Sequence, residues 1–179
     1  MMHLNKSLIT TRSYIDSIRT KLFSLINSLY ENNERTRKIM LNIHQRIKSM
    51  AQNNNFDGHD FKDIVSLCKN ETNLSIKNRK EFKDCWLKSS YVVLADYALK
   101  EKALLITNYY KTIRRISSIN DINTHLKMLQ NFYERIIAKM QYVDTHVVPG
   151  LKNHALKLES NNIESLNKIE KQLAYNHAA

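Results

Sequence analysis

Two glycines and one proline are all that this chain of 179 residues contains. Those residues make tight turns and interrupt helices. Their scarcity argues against a sheet built on glycine-rich turns, and two glycines cannot make a phosphate-cradling loop. No run of about 18 apolar residues is present, so no segment reads as a membrane-spanning helix. The opening MMHLNKSLITTRSY lacks the apolar stretch of a signal peptide, and export would require a signal removed ahead of this numbering. The histidines at 3, 44, 59, 125, 146, 154 and 177 never form His-x-x-x-His, and no Glu-x-x-His suggests a di-iron bundle. Asp144 and His146 are two residues apart and would face different ways on a helix. We therefore nominate no catalytic, cofactor-binding or metal-ligating residue, and expect a protein that is not an enzyme and has no cofactor.

What is present is helical patterning. Hydrophobic residues make up 42% and charged residues 25% of the chain, an ordinary globular balance. Leu4, Leu8, Ile15, Ile18, Leu22, Leu25, Leu29, Met40, Ile43, Ile47 and Met50 recur in threes and fours or their multiples, the seam of one long helix over about 5–50. Asn33 and Thr36 fall on that seam, marking a weak point and a place for a kink near Asn32. The asparagine-rich stretch 51–60 reads as a loop. A short helix follows over 60–69, then a loop over 70–77. A second long helix is expected over 78–117, a third over 121–147 and a last over 151–175, with Pro149-Gly150 breaking or kinking the chain between the last two. The expected fold is all-α: a single-domain, elongated antiparallel bundle of three to four long helices, with the short helix across one end.

Cys68 and Cys85 are the only cysteines. They flank a polar stretch carrying two glycosylation triplets, at Asn70 and Asn73, with a third at Asn5. A Cys68–Cys85 disulfide would staple this stretch, adding about 3 kcal/mol in the chain-entropy model, and would imply an oxidising compartment. Two buried thiols acting as small hydrophobes would give the same pattern. Three triplets are no more than chance supplies in so asparagine-rich a chain, although two of them fall in the expected loop.

Lysine and arginine outnumber aspartate and glutamate, for a net charge of +11. Such a field attracts polyanions, although lysine-rich composition alone produces it too. The candidate contact residues are Lys111, Arg114 and Arg115 at the centre, with Lys100 on the same helical face. Arg12, Arg19 and Lys21 would lie beside them if the first two long helices run antiparallel. Arg35, Arg37 and Lys38 form a further group, as do Lys77, Arg79, Lys80 and Lys83. Tyr91, Tyr97, Tyr109, Tyr110 and Trp86 could stack bases, but helical spacing fits a bundle seam better. The stretch YVVLADYALKEKALLI is the most apolar, and Asp96, Lys100, Glu101 and Lys102 interrupt it.

The leading expectation is a non-enzymatic secreted protein that acts outside its cell or on a host. Its partner would be anionic, a glycosaminoglycan or an acidic protein, or another protein held through the basic helical faces. The alternatives are a cytoplasmic helical adaptor that pairs with partner helices, and a nonspecific nucleic-acid binder.

Overall fold

The computed structural model describes residues 2–84 and 90–178, and every element in them is a helix. α1 spans Met2–Gln52, α2 Gly58–Lys83, α3 Ser90–Ile113 and α4 Ile119–Tyr142. A π-helical turn, Val143–Val147, leads without a loop into α5, Val148–Ala178. The protein is all-α, as the scarcity of glycine and proline requires.

Local chemistry explains the ends. Helix α1 stops in the asparagine run: Asn54 takes the left-handed conformation (φ 49°), and the Asn55 amide donates to the Met50 carbonyl at 3.0 Å. Asparagine tolerates that conformation, so it closes the helix where glycine often would. The Asp57 carboxylate caps α2 by accepting from the amides of His59 and Asp60 at 2.9 and 3.0 Å. Ser118 caps α4 by accepting from the Asp121 amide, while the Asp121 carboxylate accepts from the Ser117 amide at 2.9 Å. Those donors hold Asp121 below the usual carboxylate range. Pro149 has no N–H to offer the carbonyl one turn earlier, and its ring crowds that carbonyl, which accounts for the wider π turn just before it.

Packing divides the chain into two compact units, Met1–Ser28 with Val148–Ala179, and Leu29–Val147. In the first unit, Ile18, Leu22, Leu25 and Ile26 of α1 and Leu151 and Ala155 of α5 are buried. An ion pair, Arg12 with Glu170 at 2.9 Å, joins the two helices.

The second unit is an up-down-up-down four-helix bundle formed by the C-terminal half of α1 with α2, α3 and α4. Cross-helix contacts fix the directions. Arg46 reaches Asp60 while Arg35 reaches Glu71, so α1 and α2 run antiparallel. Glu101 meets Lys139 and Thr112 meets Met128, so α3 and α4 do likewise. His44 meets Tyr109 and Asn33 meets Lys102, so α1 and α3 run parallel, as diagonal partners do. Met40, Ile43, Ile47, Ile64, Ile106 and Leu129 lie among the core residues contributed by all four helices.

Two expectations need correction. The segment 70–77 is not a loop: α2 runs through it as one helix of 26 residues, a full member of the bundle rather than a short piece across its end. Residues 78–83 therefore belong to α2, and α3 begins at Ser90 and ends at Ile113. No disulfide is found among the described residues. Cys85, like Trp86, lies outside the described residues. Cys68 is a free, buried thiol whose pKa burial pushes up to about 12.

A thiol reagent should accordingly leave Cys68 unlabelled in the folded protein. In denaturant both cysteines should label without prior reduction, read by intact mass. Labelling of Cys68 that requires a reductant would restore the disulfide.

Candidate functional site

The basic residues singled out from the sequence divide into two sets. One set is engaged within the protein. Arg35 donates to Glu71 (Nε to Oε2, 3.2 Å), Arg37 to Asp144 (2.7 Å) and Glu34, and Arg79 to Asp96 (2.9 Å). Arg12 is paired with Glu170. These arginines serve the fold, since each already has a carboxylate.

The other set is surface. Lys38, Lys77, Lys80, Lys83, Lys100, Lys111, Arg114 and Arg115 are exposed, as is Arg19, while Lys21 is half-buried. The Arg114 guanidinium lies 5.6 Å from the centre of the Tyr110 ring. The anticipated union of Lys111, Arg114 and Arg115 with Arg12, Arg19 and Lys21 assumed that the first two long helices run antiparallel. Because α1 and α3 run parallel, the part of α1 beside Lys111 is the turn around Arg46. The cations of the α3 end also offset the helix dipole there, a sufficient local role.

The continuity of α2 brings together residues that the sequence reading had separated. Lys62, Lys69 and Lys80 fall almost on one line along the helix, at about 100° per residue, with Lys77 and Lys83 about 60° to either side. All five are exposed, and so are Ser66, Asn73 and Ile76 between them. The stripe is roughly 32 Å long. No carboxylate falls among the five: Glu71 points into the core, Asp63 pairs with Arg46 on the flank, and Glu81 lies about 100° round the helix. A groove of about 360 Å³ runs along the stripe's end, lined by Asn73, Ile76, Lys77, Arg79, Lys80 and Lys83. The two triplet asparagines, Asn70 and Asn73, are exposed on this same helix. Lys62 and Lys69 were missed because the chain was cut at 70; the three-and-four spacing through Lys83 is the signal that finds them.

On the opposite side α2 carries Glu71, fully buried, into a polar layer that crosses the bundle. Glu71 accepts from Arg35 and from the Thr36 hydroxyl. Lys102, 2% exposed, donates to the Asn33 side-chain carbonyl at 3.3 Å. Asn33 in turn donates to Asp144 at 3.0 Å, and Asp144 accepts from Arg37. Burial lowers the Lys102 pKa to about 8, against the pull of the Glu71 and Asp144 carboxylates, with Arg35 adding to the fall. Farther along, His44 is buried between Gln130 and the Tyr109 hydroxyl and stacks on Tyr133 with ring centres 4.5 Å apart. The Gln130 carbonyl accepts from Nε2, so Nδ1 accepts from Tyr109, and burial holds the ring's pKa down.

Among the described residues, no three His, Cys, Asp or Glu side chains gather as a metal site. No helix among the described residues is long and apolar enough to cross a membrane. No protein-family model, curated protein or solved structure matches the chain.

The Lys102 environment gives a pH test. Between about 8 and 10.5 the unfolded chain keeps a proton on Lys102 that the folded chain has lost. Stability from this group therefore rises with pH across that window. From pH 7.5 to 9.5, urea unfolding of the wild type should gain about 2 kcal/mol relative to Lys102→Met. The comparison with the variant cancels Cys68, whose raised pKa acts in the opposite direction. Parallel stability curves for the two proteins would refute the assignment.

Proposed function

We propose that this is a non-enzymatic binding protein whose solvent face on α2 engages a linear polyanion. The supporting observation is the stripe Lys62–Lys69–Lys77–Lys80–Lys83 on a rigid helix, with no carboxylate inside it. Carboxylates elsewhere, including Glu71, Asp96, Asp144 and Glu170, are paired with arginines. The excess charge is thereby concentrated on exposed lysines. A lysine is a mobile, strongly hydrated point charge. A row of them suits the repeating charges of a flexible polyanion better than bidentate recognition of one defined group. Counterion release from the polyanion then supplies much of the affinity. Export, expected on the strength of a Cys68–Cys85 disulfide, draws no support from Cys68, which is a free buried thiol.

Heparin chromatography tests the binding, and duplex DNA in the same buffer distinguishes a carbohydrate polyanion from nucleic acid. The wild type should elute well after a control protein of equal net charge. The triple variant Lys69→Ser, Lys77→Ser, Lys80→Ser should elute earlier, and should flatten the slope of log Kd against log salt by about three. Replacing Lys111, Arg114 and Arg115 instead should have a smaller effect. Co-elution of the wild type with the control would refute the proposal.

A further inference from the structure

Helix α3 is apolar on two sides. One side is in the core, with Val92, Ala95, Leu99 and Ile106 buried. The other faces solvent, where Val93 is 64%, Tyr97 58% and Leu104 58% exposed. These three follow one another at steps of four and seven, so they form one ridge about 16 Å long, which exposed Lys100 enters between Tyr97 and Leu104. An amphipathic helix on the outside of a bundle normally turns one apolar stripe inward. A second stripe is surface that the described fold leaves in water.

The ridge borders a groove of about 480 Å³ between α3 and α4. Leu104, Leu105, Ala138 and Tyr142 line its apolar part. Its charged edge consists of Glu101, Arg135 and Lys139. Glu101 is already neutralised: it pairs with Lys139 and accepts a hydrogen bond from Tyr97, and both contacts hold its pKa down. Arg135 on the rim is exposed, as is Lys100 within the ridge, so the surface is left positive.

We propose that this ridge and groove dock an acidic amphipathic helix of a partner protein. The ridge matches two to three turns of a facing helix, whose own apolar row would enter the groove beside Leu104. The positive rim selects carboxylates on the flanks of that row. A second copy of this chain is a poor occupant, because two molecules of net charge +11 repel. The proposal uses none of the α2 lysines and stands apart from polyanion binding.

The probe is a fluorescein-labelled synthetic helix of about twenty residues, with leucines at three-and-four spacing and glutamates on both flanks. Its scrambled isomer and a lysine-flanked version are the controls. By anisotropy, the wild type should bind the glutamate-flanked helix with a Kd of about 10 μM and the controls at least tenfold more weakly. Leu104→Asp should weaken binding at least tenfold. Arg135→Glu should weaken it about fivefold, and Arg135→Lys should largely preserve it. The triple α2 lysine variant should bind like the wild type. Circular dichroism confirms that each variant is folded. Three results would each overturn the proposal: no binding of the glutamate-flanked helix, equal binding of the scrambled peptide, or binding unchanged by Leu104→Asp in a folded protein. Sedimentation showing a dimer broken by Leu104→Asp would overturn it in favour of self-association.

Discussion

Lys102 sits in the interior of a four-helix bundle, and the surrounding polar layer exists to make that tolerable. A buried ammonium is costly unless carboxylates and hydrogen bonds surround it. Here each helix supplies a part: Asn33 and Thr36 from α1, Glu71 from α2, Lys102 from α3, and Asp144 from the π turn that follows α4. Asn33 is the pivot, because one amide both accepts from Lys102 and donates to Asp144. A one-turn slip of any helix would leave Glu71 or Lys102 buried without its partners. Leucines and isoleucines elsewhere in the core would lose far less from the same slip. An apolar layer here would be at least as stable, but it would specify register less sharply. The same layer calls for Arg35 and Arg37, which reach inward from the surface to balance the two carboxylates. Arginines that looked like candidates for an external polyanion are thus bound to the interior.

The layer also explains what the sequence revealed and what it hid. The length of α1 was legible because Leu22 through Met50 repeat the apolar period over many turns. The placement of Asn33 and Thr36 on that seam was legible too, and both are buried. Reading them as a weak point missed the partners that satisfy them. Those partners lie far off in sequence, and a seam position does not announce what it will meet. Helix α2 was misread for the same reason. Its core-facing residues between Cys68 and Phe82 are Glu71, Thr72 and Ser75. A buried face made of a carboxylate and two hydroxyls has no hydrophobic period, so the stretch resembled a loop. The expectation of a stapled, glycosylated loop was built on that reading.

The candidate surface suffered from the same cut. Lys77, Lys80 and Lys83 stood out as a cluster, but Lys62 and Lys69 belong with them only once α2 is continuous. Directions mattered equally. Up-down order places the C-terminal half of α1 parallel to α3. A cluster read along one helix needs only that helix, whereas the cluster assembled across two helices also assumed their directions. Spacing within a helix is dictated by backbone geometry, while adjacency between helices depends on topology, which in this chain turned on the misread α2.

The division of labour between arginine and lysine follows from this arrangement. A guanidinium keeps its charge when partly buried and offers a planar fork to a carboxylate, so the arginines gather where a carboxylate must be held: Arg35 at Glu71, Arg37 at Asp144, Arg46 at Asp60 and Asp63, Arg79 at Asp96. Lysine loses its proton more readily on burial, and Lys102 shows that loss begun. Lysines left in water keep their charge and their mobility. A net charge of +11 therefore does not spread evenly over the molecule. Where α2 turns its core-averse side outward, fold and charge coincide, since the interior face holds its one carboxylate, Glu71, and the exterior face holds five lysines. The helix that stabilises the polar layer from within thus presents a row of exposed lysines on its outer side, and any substitution that melts α2 should remove both together.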